Sequence, residues 1–201
     1  MTKRIAVIAS GRGSNFQAVI DAIKAGGLPA ICVALITDNP KAYAIERAEQ
    51  AKIPVIIVDY AAYSSRQEYE QALLHAMQRV NPDLFVLAGY MRIVGKEIVQ
   101  AFSGRMINIH PALLPSFTGL HAQRQAVAYG VKVSGCTVHF VDESLDGGPV
   151  ICQQAVPVMD GDDEDALAER ILAHEHTCLP YAIRLFCEDR LVIEGRIVRI
   201  K

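Results

Sequence analysis

Short apolar runs alternate along this chain with segments of helical periodicity, and no other feature restricts the fold so strongly. Such runs suit strands buried on both faces, as in a mostly parallel sheet covered by helices. The expected strands are 5–9, 31–37, 55–58, 84–88 and 105–109. Helices are expected over 15–24 and 42–51, from a cap at Ser64 or Ser65 to the Asn81-Pro82 stop, and over 95–102. Beyond them, a helix at 121–129 leads to a strand at 134–140, with 150–158 as its antiparallel partner, interrupted or ended at Pro157. Asp162 is expected to cap a helix reaching Cys187, with Glu164 and Asp165 in its first turn, and LVIEGRIVRI to close the chain as a hairpin. The fold class is therefore α/β: a doubly wound, mostly parallel, Rossmann-like sheet with an antiparallel C-terminal part.

A length of 201 residues, 51% of them hydrophobic, suits one sizeable core, and no linker, repeat or low-complexity stretch interrupts it. A single domain over 1–201 is expected. Twenty basic residues against 22 acidic ones, with no basic tract, argue against nucleic acid as a partner. The opening MTKRIAVIAS leads into a glycine loop instead of a cleavage site, and no apolar run approaches the roughly 18–20 residues that cross a bilayer. The expectation is a cytoplasmic protein with no membrane partner. Five cysteines, odd in number, widely spaced and without a CxxC pair, suggest buried thiols in a reducing compartment, not a disulfide framework or zinc site.

Gly11, Gly13, Ser14 and Asn15 stand between a predicted strand and helix, where unpaired backbone N–H groups and the helix dipole favour an anion such as phosphate. The same residues also serve tight turns for structural reasons alone. Phe16 replaces the third glycine of GxGxxG and no GK[ST] follows, although Asp38 after the second strand leaves a ribose contact, and hence a nucleotide-binding module, open.

The segment MINIHPALLPSFTGLH places Asn108 and His110 two residues apart at the carboxyl end of a buried strand, so both side chains point the same way. An Asn amide can donate to a developing oxyanion, and an imidazole can act as acid or base near neutrality. Asp146, followed by two glycines and a proline, is the carboxylate best placed to orient that imidazole and favour its charged form. Taken singly, Asn108 also suits a turn cap and Asp146 a glycine turn. His121 and His139 read as structural. His174 and His176, two apart on a helix, point away from one another and make a poor metal pair, while DGDDED lacks the ligand spacing of a calcium loop.

The combination of INIHPALLP, GLH, SGCTVHFVDESLDGGPVI and AGYMRI closely resembles the folate-dependent formyltransferase family. SGRGSNFQAVIDA and HEHTCLP narrow the resemblance to its glycinamide ribonucleotide transformylase branch, which serves purine synthesis. The likeness implies Asn108, His110 and Asp146 as the catalytic trio, with protonated His110 as oxyanion stabiliser or proton donor. It implies Gly13, Ser14 and Asn15 at the ribonucleotide phosphate, and Leu172, Ala173, His174 and Glu175 at the glycinamide, whose amine Glu175 would bind. It further implies Met91, Arg92, Ile93 and Val94, together with Asn108 and Asp142, Glu143, Ser144, Leu145 and Asp146, at the folate, and Arg66 near its glutamate tail. The co-substrate would be 10-formyltetrahydrofolate, with no metal, acting on glycinamide ribonucleotide in a monomer or homodimer. A formyltetrahydrofolate hydrolase is the alternative within the same superfamily. Ser116 to Gly119 departs from the more basic or proline-containing loop of many relatives.

Overall fold

The computed structural model describes residues 2–201. The chain forms two compact units, one ending at Ile107 and the other beginning at Asn108.

In the first unit, strands β1 (Lys3–Ile8), β2 (Ala30–Thr37), β3 (Val55–Ile57) and β4 (Leu84–Leu87) lie in the order β3-β2-β1-β4, and every neighbouring pair is parallel. The chain steps outward from β1 to β3 and then returns to the other side of β1. This reversal opens a crevice at the carboxyl ends of β1 and β4, where ligands of open α/β sheets bind. Those ends are tied together: the Ser10 N–H donates to the Gly89 carbonyl at 3.1 Å, and the Met91 N–H donates to Ser10 Oγ at 3.0 Å.

Helices α1 (Ser14–Lys24), α2 (Ala44–Gln50), α3 (Arg66–Val80) and α4 (Lys96–Ala101) follow the first four strands. In α3, Tyr69, Leu73 and Met77 recur every fourth residue and are buried, as a single apolar stripe requires. Ser65 supplies the cap, its side chain accepting from the Glu68 N–H, and Asn81 ends the helix in a left-handed conformation. A single 3-10 turn at Tyr60–Ala62 has no counterpart in the periodicity.

Strand β5 (Met106–His110) runs across the border between the units. In the second unit, β6 (Val133–Phe140) pairs antiparallel with β7 (Val150–Pro157), which ends at the expected proline, and β8 (Leu191–Glu194) pairs antiparallel with β9 (Ile197–Ile200). The order is β6-β7-β9-β8. Two further helices are α5 (Ala122–Tyr129) and α6 (Glu164–Cys187), and α6 packs on β6 and β7. The mostly parallel α/β class with an antiparallel C-terminal part is thus what the chain adopts. Among the described residues, no helix is long and apolar enough to cross a membrane.

One boundary needs correcting. The cap of α6 is Asp163, whose carboxylate accepts from the Ala166 N–H at 2.8 Å, and not Asp162. Asp162 instead accepts from both terminal nitrogens of Arg170, at 2.5 and 3.0 Å, and from the Met159 N–H. A bidentate guanidinium outcompetes a single backbone donor for that carboxylate.

Asp163→Ala is expected to destabilise the chain by about 1 kcal/mol in urea unfolding, the usual effect of losing an N-cap. The Arg170 guanidinium holds the Asp162 carboxyl at about 2, below its ordinary 3.8. Between those values the unfolded chain binds more protons than the folded one, so stability falls as pH drops through the window. Acid unfolding of Asp162→Asn should lack that component of the slope.

Candidate functional site

The loop after β1 leads into α1, whose start has no side-chain hydrogen-bonded cap. Gly13, at φ 66°, is the cap residue and brings no side chain to it. A Cβ there would sit 2.8 Å from the Ala44 Cβ, in a left-handed conformation that side chains avoid, so two independent constraints demand glycine. The backbone N–H groups at this helix start favour an anion, as does the dipole behind them. Gly13, Ser14 and Asn15 lie at the junction that leads from β1 into α1.

Elsewhere in the first unit, Asp38 is buried and its Oδ2 accepts from Arg92 Nε at 2.5 Å. The Arg92 guanidinium also lies over the Tyr60 ring, 3.4 Å from its centroid. Asp38 thus carries an ion pair through Oδ2, while its Oδ1 is buried without a hydrogen-bond partner. Arg92 is held in place by two interactions while 36% of its side chain stays exposed. Arg66 opens α3, donating to Glu70 at 2.6 Å and to the Ile93 carbonyl at 3.4 Å, which links two of the expected folate residues. Met91 and Ile93 are largely exposed. A cavity of about 260 Å³ lined by Gln67, Glu70, Gln71, Lys96, Glu97 and Ile98 includes none of the predicted site residues.

In the second unit the trio comes together. Asp146 sits at φ 50°, a left-handed conformation that Asp tolerates better than most residues, and this turns its carboxylate inward. Gly148 must remain glycine for a different reason, because a Cβ there would collide with the Phe140 carbonyl. Asp146 Oδ2 accepts from the Gly119 N–H at 2.7 Å and faces His110 Nδ1 at 3.5 Å. On its other edge, His110 Nε2 donates to the Phe117 carbonyl at 2.8 Å. Both nitrogens of His110 thus meet oxygen atoms that only accept, an arrangement in which the doubly protonated ring can donate on both sides.

A fourth side chain belongs to the group. His139 Nδ1 donates to the Phe140 carbonyl at 2.8 Å, which leaves Nε2 as an acceptor for the Asn108 amide nitrogen at 3.2 Å. Asp146 Oδ1 stands 3.8 Å from the same Nε2. The structural reading of His139 is therefore incomplete, since it turns the Asn108 amide so that a donor is held on this side. Its sequence signal is a polar residue near the end of an otherwise apolar strand. Desolvation lowers the His139 pKa below the ordinary 6.5, opposed by the Phe140 carbonyl and Asp146.

Asp142, Glu143, Ser144 and Leu145 form the turn before Asp146. There Asp142 Oδ1 accepts from the Ser144 N–H at 2.9 Å and from its hydroxyl. Leu172, Ala173, His174 and Glu175 lie within α6, where Glu175 is 6% exposed. Among the described residues, no three His, Cys, Asp or Glu side chains are grouped to hold a metal ion.

An ordered amide donor, an imidazole flanked by acceptors and a carboxylate behind it, at the end of a strand in an α/β chain, are the groups with which a group-transfer enzyme can meet developing negative charge. The chain belongs to the formyl transferase family, whose model matches residues 3–183. It is similar to the phosphoribosylglycinamide formyltransferase of Escherichia coli (strain K12), 43% identical over 187 residues that cover 93% of this chain and 88% of that protein. The trifunctional purine biosynthetic protein adenosine-3 of Drosophila melanogaster is 43% identical over 197 residues, which cover 97% of this chain but 15% of that longer relative. Among solved structures, glycinamide ribonucleotide transformylase 1 from Symbiobacterium toebii superposes with a TM-score of 0.96 at 51% identity, covering 99% of this chain and 94% of that one.

The neutral, Nδ1-protonated form of His139 is expected to persist in NMR titrations to pH values below 6.5. Because the unfolded chain takes up this proton first, stability should fall as pH drops below 6.5, and His139→Gln should lose that part of the dependence.

Proposed function

We propose that the chain transfers the formyl group of 10-formyltetrahydrofolate to the amine of glycinamide ribonucleotide, a step of purine biosynthesis. The observation that carries this reading is the network in which Asp146 faces both His110 and His139 and His139 holds the Asn108 amide. The names and chain coverage of the bacterial relatives support the choice of substrates. As the family model runs from residue 3 to 183, it spans both compact units, which supports one formyltransferase domain.

In this mechanism the amine lone pair attacks the formyl carbon and the carbonyl electrons move onto oxygen. The Asn108 amide and the Nε2–H of the His110 imidazolium donate to that oxyanion. The Nε2–H that meets the Phe117 carbonyl is the donor assigned to the formyl oxygen, so one acceptor replaces another. Asp146 keeps the ring oriented and compensates its charge. The amine then loses a proton, N10 of the folate gains one, and the C–N10 bond breaks as the carbonyl re-forms. Gly13, Ser14 and Asn15 are the residues proposed for the phosphate, and Leu172 to Glu175 those for the glycinamide. The proposed folate contacts are Met91, Arg92, Ile93, Val94, Asn108 and Asp142 to Asp146, with Arg66 for the tail carboxylates. Two fixed donors and a charged ring supply what a Lewis acid would otherwise provide. A cytoplasmic setting suits the five unbridged cysteines.

The direct test is release of tetrahydrofolate from 10-formyltetrahydrofolate, measured with and without glycinamide ribonucleotide. Turnover is expected only with the amine and should survive chelation; turnover without it would mark a hydrolase. Asn108→Ala should lower kcat roughly 10²- to 10³-fold, as loss of one oxyanion donor does, with little change in either KM. Ser14→Ala should raise KM for the ribonucleotide more than for the folate, and equal effects on both would remove the phosphate assignment.

A further inference from the structure

Three thiols of the second unit, none used by the mechanism above, meet at one spot. Across the β6–β7 ladder, Cys136 pairs with Gln154 and Val138 with Cys152. Cys136 and Cys152 are therefore diagonal neighbours, and the period of two puts both on the same face. Cys178 of α6 reaches that face. Its Sγ lies 3.1 Å from Cys152 Sγ.

The separation discriminates between two fates for such a cluster. Thiolates around a tetrahedral metal, with bonds of roughly 2.3 Å, stand about 3.8 Å apart. At 3.1 Å the Cys152 and Cys178 sulfurs are closer than that, and about 1 Å from the roughly 2.05 Å of a disulfide. Exposure separates the three thiols further, since Cys136 is fully buried and Cys178 nearly so, whereas Cys152 is only half-buried.

We propose that Cys152 and Cys178 are a redox-reactive pair, which hydroperoxides convert to an intrachain disulfide joining β7 to α6. Across 3.1 Å, once the pair has lost one proton, the thiol that remains can hydrogen-bond to the other sulfur as a thiolate, and either atom can be the donor. With the proton on Cys178, the Cys152 thiolate attacks hydrogen peroxide, gives up two electrons, becomes a sulfenic acid and releases hydroxide. Cys178 then attacks the sulfenic sulfur. The S–S bond forms as the S–OH bond breaks, and the departing hydroxide takes the Cys178 proton as water. The hydroxide released in the first step takes up the proton that the pair had lost, so in sum two thiols and one peroxide give one disulfide and two waters.

The test uses the full chain, first reduced with dithiothreitol and desalted, then exposed to hydrogen peroxide and alkylated. Peptides are mapped without reduction after digestion with trypsin and a glutamyl endopeptidase, because Glu143 separates Cys136 from Cys152. The expected result is a fall from five alkylatable cysteines to three, a linked Cys152/Cys178 peptide pair, and recovery on renewed reduction. Cys136→Ser should still form the link, Cys152→Ser, altered at a half-buried site, should keep every remaining thiol alkylatable, and Cys178→Ser should form no link and leave Cys152 oxidised to its sulfenic acid. A Cys136–Cys178 bridge, a link between two chains, sulfinic acid at Cys152 without a cross-link, or five intact thiols would each overturn the proposal.

Discussion

The carboxylate of Asp146 organises the second unit's chemistry through one charge and three neighbours. It accepts from the Gly119 amide, faces His110, and lies beside the acceptor nitrogen of His139. A nearly buried anion is costly unless it is paired and hydrogen-bonded, and these neighbours compensate it while taking their own orientation from it. The turn that delivers the carboxylate is fixed at both ends, by the Asp142–Ser144 hydrogen bonds and by the close passage of Gly148 along Phe140. Through His139 the same arrangement orders Asn108, so four side chains behave as one polar network.

The first unit works by different means. Its candidate anion site rests on backbone amides at the start of α1, with geometry enforced by the contact between Gly13 and α2. Beside it, the Asp38–Arg92–Tyr60 cluster pairs one oxygen of a buried carboxylate with a guanidinium that remains partly exposed, while Asp38 Oδ1 is buried without a hydrogen-bond partner. A planar cation held edge-on by a carboxylate and face-on by an aromatic ring loses little further entropy when it meets a ligand.

What could be read from the sequence follows the range of the forces involved. Apolar runs, the Ser65 cap and the Asn81 stop depend on residues a few positions apart, and they appear where the pattern puts them. The same is true of Asn108 and His110, which share one strand. His139 was not legible as their partner, because nothing in a strand's alternation tells which distant side chain its ring will meet. The three thiols looked scattered for the same reason, lying on β6, β7 and α6. At Asp162 and Asp163, adjacent residues compete for one cap, and the outcome depended on Arg170 two turns along the helix.

The Phe117 carbonyl, hydrogen-bonded to His110 Nε2, makes recognition at this site a contest against a tethered rival. A group attached to the same chain competes at an effective concentration far above that of any free solute, so an incoming acceptor must offer more than a peptide oxygen does. An oxygen that gains negative charge as it reacts meets that demand increasingly along the reaction path, while water and neutral esters do not. The loop therefore sets a threshold on acceptor strength, and in the proposed reaction the imidazole's donor would be surrendered most readily to the charge developing on the formyl oxygen.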